Sequence, residues 1–277
     1  MDPRRTAASG SECGTPAEES IYWSCWKSER ELRWELGLPD FSSGLSLGPP
    51  QRFPSVPLTN DNQMLRAWYF YLSEISLWRL EAEARKDITI CLSQEQQQNG
   101  ASPHLLSRLT EFSESCRQQL VEWRNSLPLI LSISDTEPST TDTDVLKFVL
   151  RGRTTYVNEL ITWPFIIYAL NGREMVPAAR ALVAKGLDAH LGRLTTNMPG
   201  FYHRHHGTWL LIRTSARSAC ILVAAARTPI RDLLPVGWQE AVEATIEMLY
   251  FWRTEVETIE ETAIFLRFIM AELGELY

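Results

Sequence analysis

Apolar residues in this 277-residue chain recur at steps of three and four along segments that end at proline or glycine. Leu65, Trp68, Leu72 and Ile75 form one such series, which places them on a single face of a helix. No segment shows the period-two alternation, bounded by turn residues, that is typical of a half-buried strand. The sequence therefore predicts an all-α fold, an irregular bundle of about eight helices around a buried central helix.

Capping and helix-breaking residues set the expected bounds of these helices. Asp61 and Ser102-Pro103 are typical of helix starts, whereas Gly37 and Gly172 are typical of helix ends. Pro164 lies inside the fourth helix, where a lost hydrogen bond and a steric clash predict a kink. The expected spans are residues 18–36, 61–93, 103–128, 144–171, 177–197 and 202–227, followed by two helices after Pro235.

The sixth predicted helix is apolar on nearly all sides over residues 216–225, so we expect it to be the buried central helix. Trp209 lies near its start and is expected to fill a buried position against the fourth helix, beside Trp163 and Phe165. The most apolar run, residues 219–226, is too short to cross a bilayer. No membrane partner is therefore expected.

Composition also limits the expected partners and compartment. The net charge of -7 opposes binding to phosphate backbones, so the chain is not expected to bind DNA directly. Five scattered cysteines without any C-x-x-C pair argue against a disulfide framework and a structural zinc site, and favour a reducing compartment. Residues 1–17 are predicted to be a disordered arm without a secretory signal, and residues 18–277 a helical domain.

The strongest candidate for metal chemistry is the cluster of His203, His205 and His206. If the sixth helix began near residue 202, His203 and His206 would share a helix face and could bind a metal together with a further ligand. The structural alternative is a hydrogen-bonded helix start after Pro199-Gly200. A helical metal-dependent enzyme that uses this cluster is therefore kept as an alternative function.

Other reactive or charged residues have simpler structural interpretations. Cys25 stands between two tryptophans and is expected to be a buried structural thiol. The alternating charges of residues 27–35 are expected to form a solvated face with ion pairs, and Arg151 and Arg153 are expected to pair with Glu159 or with acids of a neighbouring helix. No catalytic signature occurs, so we predict no catalytic residues, no metal site and no cofactor, and the residues of any ligand site stay unknown.

Several segments resemble, in the same order, the fungal-specific transcription factor domain, which is the middle regulatory region of zinc-cluster transcription regulators. The resemblance covers roughly residues 20–255. The segments are 21–33 (IYWSCWKSERELR), 35–39 (ELGLP), 53–57 (FPSVP), 68–79 (WYFYLSEISLWR), 150–153 (LRGR), 159–165 (ELITWPF), 203–209 (HRHHGTW) and 213–214 (RT).

This resemblance implies a nuclear transcription regulator that acts through its helical regulatory domain. The C-x2-C-x6-C motif of the family's DNA-binding zinc cluster is absent, and the tryptophan-rich first helix is expected to be internal to the family pattern. The implied partners are proteins of the transcription machinery or a DNA-binding partner, with a small-molecule effector as a further possibility. A helical metabolite-binding module is the other alternative function.

Overall fold

A computed structural model of the chain describes residues 16–38, 56–58, 61–97, 103–133, 144–205, 207–256 and 258–274. These residues form eight α-helices and three single-turn 3₁₀ helices and contain no β-strand, so the predicted all-α fold is confirmed. The α-helices are α1 (Pro16–Leu36), α2 (Asn62–Gln97), α3 (Pro103–Asn125), α4 (Val145–Leu170), α5 (Pro177–Asn197), α6 (Thr208–Ala226), α7 (Trp238–Trp252) and α8 (Ile259–Gly274).

Local capping chemistry accounts for several of the helix bounds. Asp61 Oδ1 accepts a hydrogen bond from the Gln63 amide at 2.8 Å, and Asp144 Oδ1 accepts one from the Leu146 amide at 3.1 Å. Gly37 and Gly172 have φ values of 62° and 69°, the left-handed conformation predicted at these helix ends.

Three helix bounds differ from the prediction. Helix α1 begins at Pro16, so the last two residues of the predicted arm are helical, and residues 1–15 lie outside the described part of the chain. Helix α2 continues past its predicted end at residue 93 to Gln97, because glutamine and glutamate are good helix formers. Helix α3 ends at Asn125, ahead of Pro128, and a 3₁₀ turn over Leu129–Leu131 follows.

The chain divides into two compact units, Met1–Arg79 and Leu80–Tyr277, and the division falls inside α2. The core of unit 1 is aromatic: Trp26 stands edge-on to Trp23 and to Trp78, with ring centroids 5.3 and 6.2 Å away. Lys27 Nζ contacts both carboxylate oxygens of the buried Glu74, at 2.6 and 2.7 Å. The sequence placed no boundary at residue 79, and whether residues 18–277 fold as one domain stays a prediction.

In unit 2, α5 lies between α4 and α6, and α6 also packs on α7 and α8. Helix α5 approaches α4 closely at Gly186, where an added Cβ would lie 2.7 Å from Thr162 Oγ1 and 2.8 Å from Ile166 Cδ1. Helix α6 is buried around most of its circumference, as predicted, and α5 shares the central position. By length and composition α6 could also cross a membrane, as many core helices could, and most of it is buried inside the protein.

The start of α6 and its expected neighbour were predicted wrongly. The helix begins at Thr208, and residues 201–205, which were expected to belong to it, are not helical. Its main neighbours are α5, α7 and α8, and α5 takes the place that we expected for α4. Trp209 is therefore only half-buried, with the guanidinium of Arg213 5.0 Å from its ring centroid. Phe165 is fully buried, whereas Trp163 is 41% exposed.

Candidate functional site: a buried polar network and an exposed apolar helix face

The centre of the buried network is an ion pair between α4 and α5. Arg193 Nε donates to Glu159 Oε1 at 2.9 Å, and Arg193 Nη2 donates to Glu159 Oε2 at 3.1 Å. Both side chains are almost completely buried. Helix α4 passes close to the guanidinium at Gly152, where an added Cβ would lie at the ordinary contact distance of 3.7 Å from Arg193 Nη1. The two-point contact fixes the rotation and register of α5 against α4.

His190, one turn before Arg193 on α5, extends the network to α6. Its Nδ1 lies 3.0 Å from Ser218 Oγ and 3.8 Å from Glu159 Oε1. Burial lowers the pKa of His190 to about 4; the charge of Glu159 opposes this shift, whereas Arg193 and Arg217 add to it. The imidazole is therefore neutral at pH 7. Its Nε2 is buried and has no hydrogen-bond partner among the described residues.

The geometry of this network does not match a nucleophilic relay. Such a relay needs a serine at one ring nitrogen of the histidine and a carboxylate at the other. Here both Ser218 and Glu159 lie at Nδ1, and Ser218 is fully buried. The three side chains can therefore link α4, α5 and α6, but this arrangement does not activate the serine towards a substrate.

A second set of polar contacts surrounds Tyr156 of α4. The guanidinium carbons of Arg85 and Arg217 lie 5.3 and 5.9 Å from its ring centroid, and Arg85 donates to its hydroxyl. Arg85 Nε also donates to Glu81 Oε1 at 3.0 Å. These contacts connect the part of α2 that belongs to unit 2 with α4 and α6.

A different kind of feature lies on α8, which exposes an apolar face. Ile264, Phe265 and Phe268 are 55%, 55% and 60% exposed, and their spacing of one and four residues places them on one side of the helix. The opposite side, with Ala263, Leu266 and others, is buried in unit 2. We call the exposed trio the α8 face. Exposed aromatic and aliphatic side chains that cluster in this way are typical of interaction sites on protein surfaces.

The predicted histidine cluster does not form on one helix face. His203 and His205 are exposed in the turn before α6, and His206 lies outside the described residues. The expectation that His203 shares a helix face is therefore wrong. His205 Nδ1 accepts a hydrogen bond from the Gly207 amide at 3.0 Å, which agrees with the structural alternative for this cluster. In the described part of the chain, no group of three or more His, Cys, Asp or Glu side chains could hold a metal ion.

The predictions for Cys25 and for the charged residues of α1 are confirmed only in part. Cys25 is exposed, contrary to the prediction, because Trp23 and Trp26 lie three residues apart on the buried face and Cys25 falls off it. Glu29 and Arg33 form the expected surface ion pair at 3.3 Å. Lys27, by contrast, makes the tertiary contact with Glu74 described above.

Sequence reasoning missed Arg193, the residue that bonds to Glu159. We expected Arg151 and Arg153 to pair with Glu159 or with acids of a neighbouring helix, and the structure shows a bidentate contact of Glu159 with Arg193 of α5. A usable signal existed: the polar residues His190, Arg193 and Asn197 follow one another at steps of three and four on the buried side of α5, which also carries Leu182, Leu187 and Leu194. A polar residue in such a series indicates a buried partner on a neighbouring helix.

The chain was also compared with known proteins. No model of a protein family, no curated protein and no solved structure matches it. The resemblance to the fungal-specific transcription factor domain therefore rests on the sequence motifs alone.

Proposed function

We propose that this chain is a helical regulatory domain of a transcription regulator of the fungal zinc-cluster type, and that it acts in the nucleus by binding a protein partner. The single observation that carries the proposal is the α8 face. Ile264, Phe265 and Phe268 are exposed together on one side of α8, although the same unit buries an extensive apolar core. Such a face lowers its free energy when a partner covers it.

Two further observations support this choice. Glu159, which lies in one of the segments that carry the family resemblance, holds the guanidinium of Arg193 in the buried ion pair. The negative net charge favours a protein partner over direct contact with DNA, because the affinity of proteins for DNA depends on neutralising its phosphates.

The test is a reporter assay with the whole chain fused to an unrelated DNA-binding domain. The fusion should change reporter expression relative to the DNA-binding domain alone. The double variant Phe265→Gln/Phe268→Gln should lose that effect, because it removes apolar surface without disturbing the core. Leu129→Gln is the matched control, since Leu129 is an apolar residue that is 93% exposed and lies outside α7 and α8.

Two results would contradict the proposal. A wild-type fusion without any effect on the reporter would contradict the regulatory role. An effect that is retained in Phe265→Gln/Phe268→Gln would show that regulation does not depend on the α8 face. The unfused chain should not shift duplex DNA at physiological salt. A sequence-selective shift would show that the chain contacts DNA itself.

A small-molecule effector is a second candidate, favoured by the buried Nε2 of His190. A buried ring nitrogen without a hydrogen bond is energetically unfavourable, and a bound ligand with a polar group could supply the missing hydrogen bond. A thermal-shift screen of small polar metabolites tests this candidate. A stabilising compound should lose its effect on His190→Phe and keep it on His203→Phe, where the replaced ring is exposed.

A further inference from the structure

Helices α7 and α8 are strongly acidic. Together they carry six glutamates and one arginine, a net charge of about -5 when these side chains are ionised. The single arginine, Arg267, is held on α7: its Nη2 donates to Glu247 Oε1 at 2.7 Å, and its guanidinium lies 4.4 Å from the ring centroid of Tyr250. The six glutamates are Glu240, Glu243, Glu247, Glu260, Glu261 and Glu272.

The acids border the α8 face directly. Glu260, Ile264, Phe268 and Glu272 follow one another at steps of four, so two apolar residues lie between two carboxylates along one line of the helix. Glu261 precedes Phe265 in the same way along the adjacent line. Glu272 accepts a hydrogen bond from Arg227, whereas Glu260 and Glu261 are exposed and form no ion pair with any residue that the structure describes.

We propose that the α8 face binds a basic amphipathic helix of a partner protein, an inference that rests on the proposed regulatory function and names the chemistry of its partner. The apolar side of such a helix would cover Ile264, Phe265 and Phe268, and its flanking lysines or arginines would lie near Glu260 and Glu261. Helix-on-helix docking of this kind uses apolar anchors at steps of three and four.

The same charges disfavour the other occupants of this surface. A nucleic acid or an anionic lipid surface would bring its negative charges close to the carboxylates of Glu260 and Glu261. A second copy of the chain would place Glu260 and Glu261 against an equally acidic helix pair. A basic segment is the occupant whose charge complements the surface.

The experiment titrates the full chain with two fluorescein-labelled model peptides. Both are amphipathic helices of about 18 residues, roughly five turns, with the same leucines on one side. One peptide has lysines and the other glutamates beside the leucines. Fluorescence anisotropy should show binding of the lysine peptide at least about tenfold tighter than that of the glutamate peptide, and weaker binding as salt rises.

Three variants separate the contributions. Ile264→Gln/Phe268→Gln should weaken lysine-peptide binding about tenfold or more, because the apolar anchors are lost. Glu260→Gln/Glu261→Gln should reduce both the affinity and its salt dependence, because the unpaired carboxylates are gone. Leu129→Gln should bind like the wild type. Circular dichroism of each variant checks that the helical fold is retained.

Equal binding of the two peptides, or no binding of the lysine peptide, would overturn the inference. If the reporter effect depends on Phe265 and Phe268 while neither peptide binds, the proposed function stands and the partner chemistry is wrong. If the lysine peptide binds and the reporter fusion is inert, the partner chemistry stands and the proposed function is wrong. Dimerisation in analytical ultracentrifugation that Ile264→Gln/Phe268→Gln abolishes would instead make a second copy the occupant.

Discussion

Arg193 holds both carboxylate oxygens of Glu159 across the α4–α5 interface, at 2.9 and 3.1 Å, with both side chains removed from water. Desolvation of the two charges offsets much of their attraction, so the pair adds little net stability over well-packed apolar residues. Its effect is on specificity: two parallel hydrogen bonds are satisfied in only one register of the two helices. Loss of either partner would leave the other as an uncompensated buried charge.

The first prediction concerns this pair. Glu159→Gln should lower the free energy of unfolding by about 3–5 kcal/mol, because the arginine charge stays buried without its counter-charge. The measurement is urea denaturation at pH 7. Asp232→Asn is the control, since Asp232 and Arg180 form an exposed pair whose loss should cost less than about 1 kcal/mol.

The same series can test whether the pair acts as a unit. Glu159→Leu/Arg193→Met removes both charges and should be more stable than Glu159→Gln, because no unpaired charge remains. Equal losses for Glu159→Gln and Asp232→Asn would show that Arg193 reaches water in the native state. In that case the register of α4 and α5 would depend on apolar packing alone.

The second prediction concerns the pH dependence that His190 confers. Burial lowers the pKa of His190 in the folded state to about 4, below the ordinary value of 6.5. The unfolded chain therefore binds this proton first as the pH falls. The stability linked to neutral His190 is complete above pH 6.5 and is lost between pH 6.5 and 4, with a total of about 3 kcal/mol.

Denaturation midpoints at pH 7, 5.5 and 4.5 measure this effect. His190→Gln should flatten the decline between pH 6.5 and 4.5, although the variant is less stable at pH 7. His203→Gln, at an exposed position, should follow the wild-type curve. A decline that is unchanged in His190→Gln would assign the acid sensitivity to other groups.

The sequence predicted those parts of the fold that local chemistry determines. Helix α4 begins after Asp144 and ends before Gly172, as predicted, because a capping carboxylate and a left-handed glycine act within one helical turn. Which helices pack against each other depends on contacts between residues that are distant in sequence. The periodicity of apolar residues within one helix does not predict these contacts. For that reason α5 was missed as the main neighbour of both α4 and α6, and Trp209 was placed in the core.

For the candidate sites as well, the sequence predicts local features but not contacts between distant residues. Glu159 and Arg193 are separated by 34 residues, so no local pattern pairs them. The exposure of Cys25, by contrast, could have been predicted from Trp23 and Trp26, whose spacing of three defines the buried face of α1. The α8 face could not, because an apolar helix side indicates burial until the structure shows that nothing in the described chain covers it.

The third prediction compares two large aromatic residues. Phe165 is fully buried between helices, so Phe165→Ala should cost about 3–5 kcal/mol of unfolding free energy. Trp209 is half-buried under Arg213, so Trp209→Ala should cost only about 1–2 kcal/mol, from partial burial and one cation–π contact. Chemical denaturation of the two variants gives the comparison. If Trp209→Ala lowers the free energy of unfolding as much as Phe165→Ala does, Trp209 is a core residue.

The fourth prediction uses two glycines of α5 as a matched pair. A methyl group at Gly186 would lie 2.7–2.8 Å from the side chains of Thr162 and Ile166 on α4, whereas a methyl group at Gly192 has no heavy atom within 4 Å. Gly186→Ala should therefore destabilise the fold by about 1–3 kcal/mol, because the close approach of α5 to α4 must open.

Gly192→Ala should instead stabilise the fold by about 0.5–1 kcal/mol, since alanine loses less conformational freedom than glycine when a helix forms. Both substitutions add the same methyl group to the same helix, so helix propensity contributes equally to each. The difference between their denaturation free energies then measures the steric cost at the α4–α5 contact. Stabilisation by both variants would mean that α4 and α5 separate more easily than the packing around Gly186 indicates.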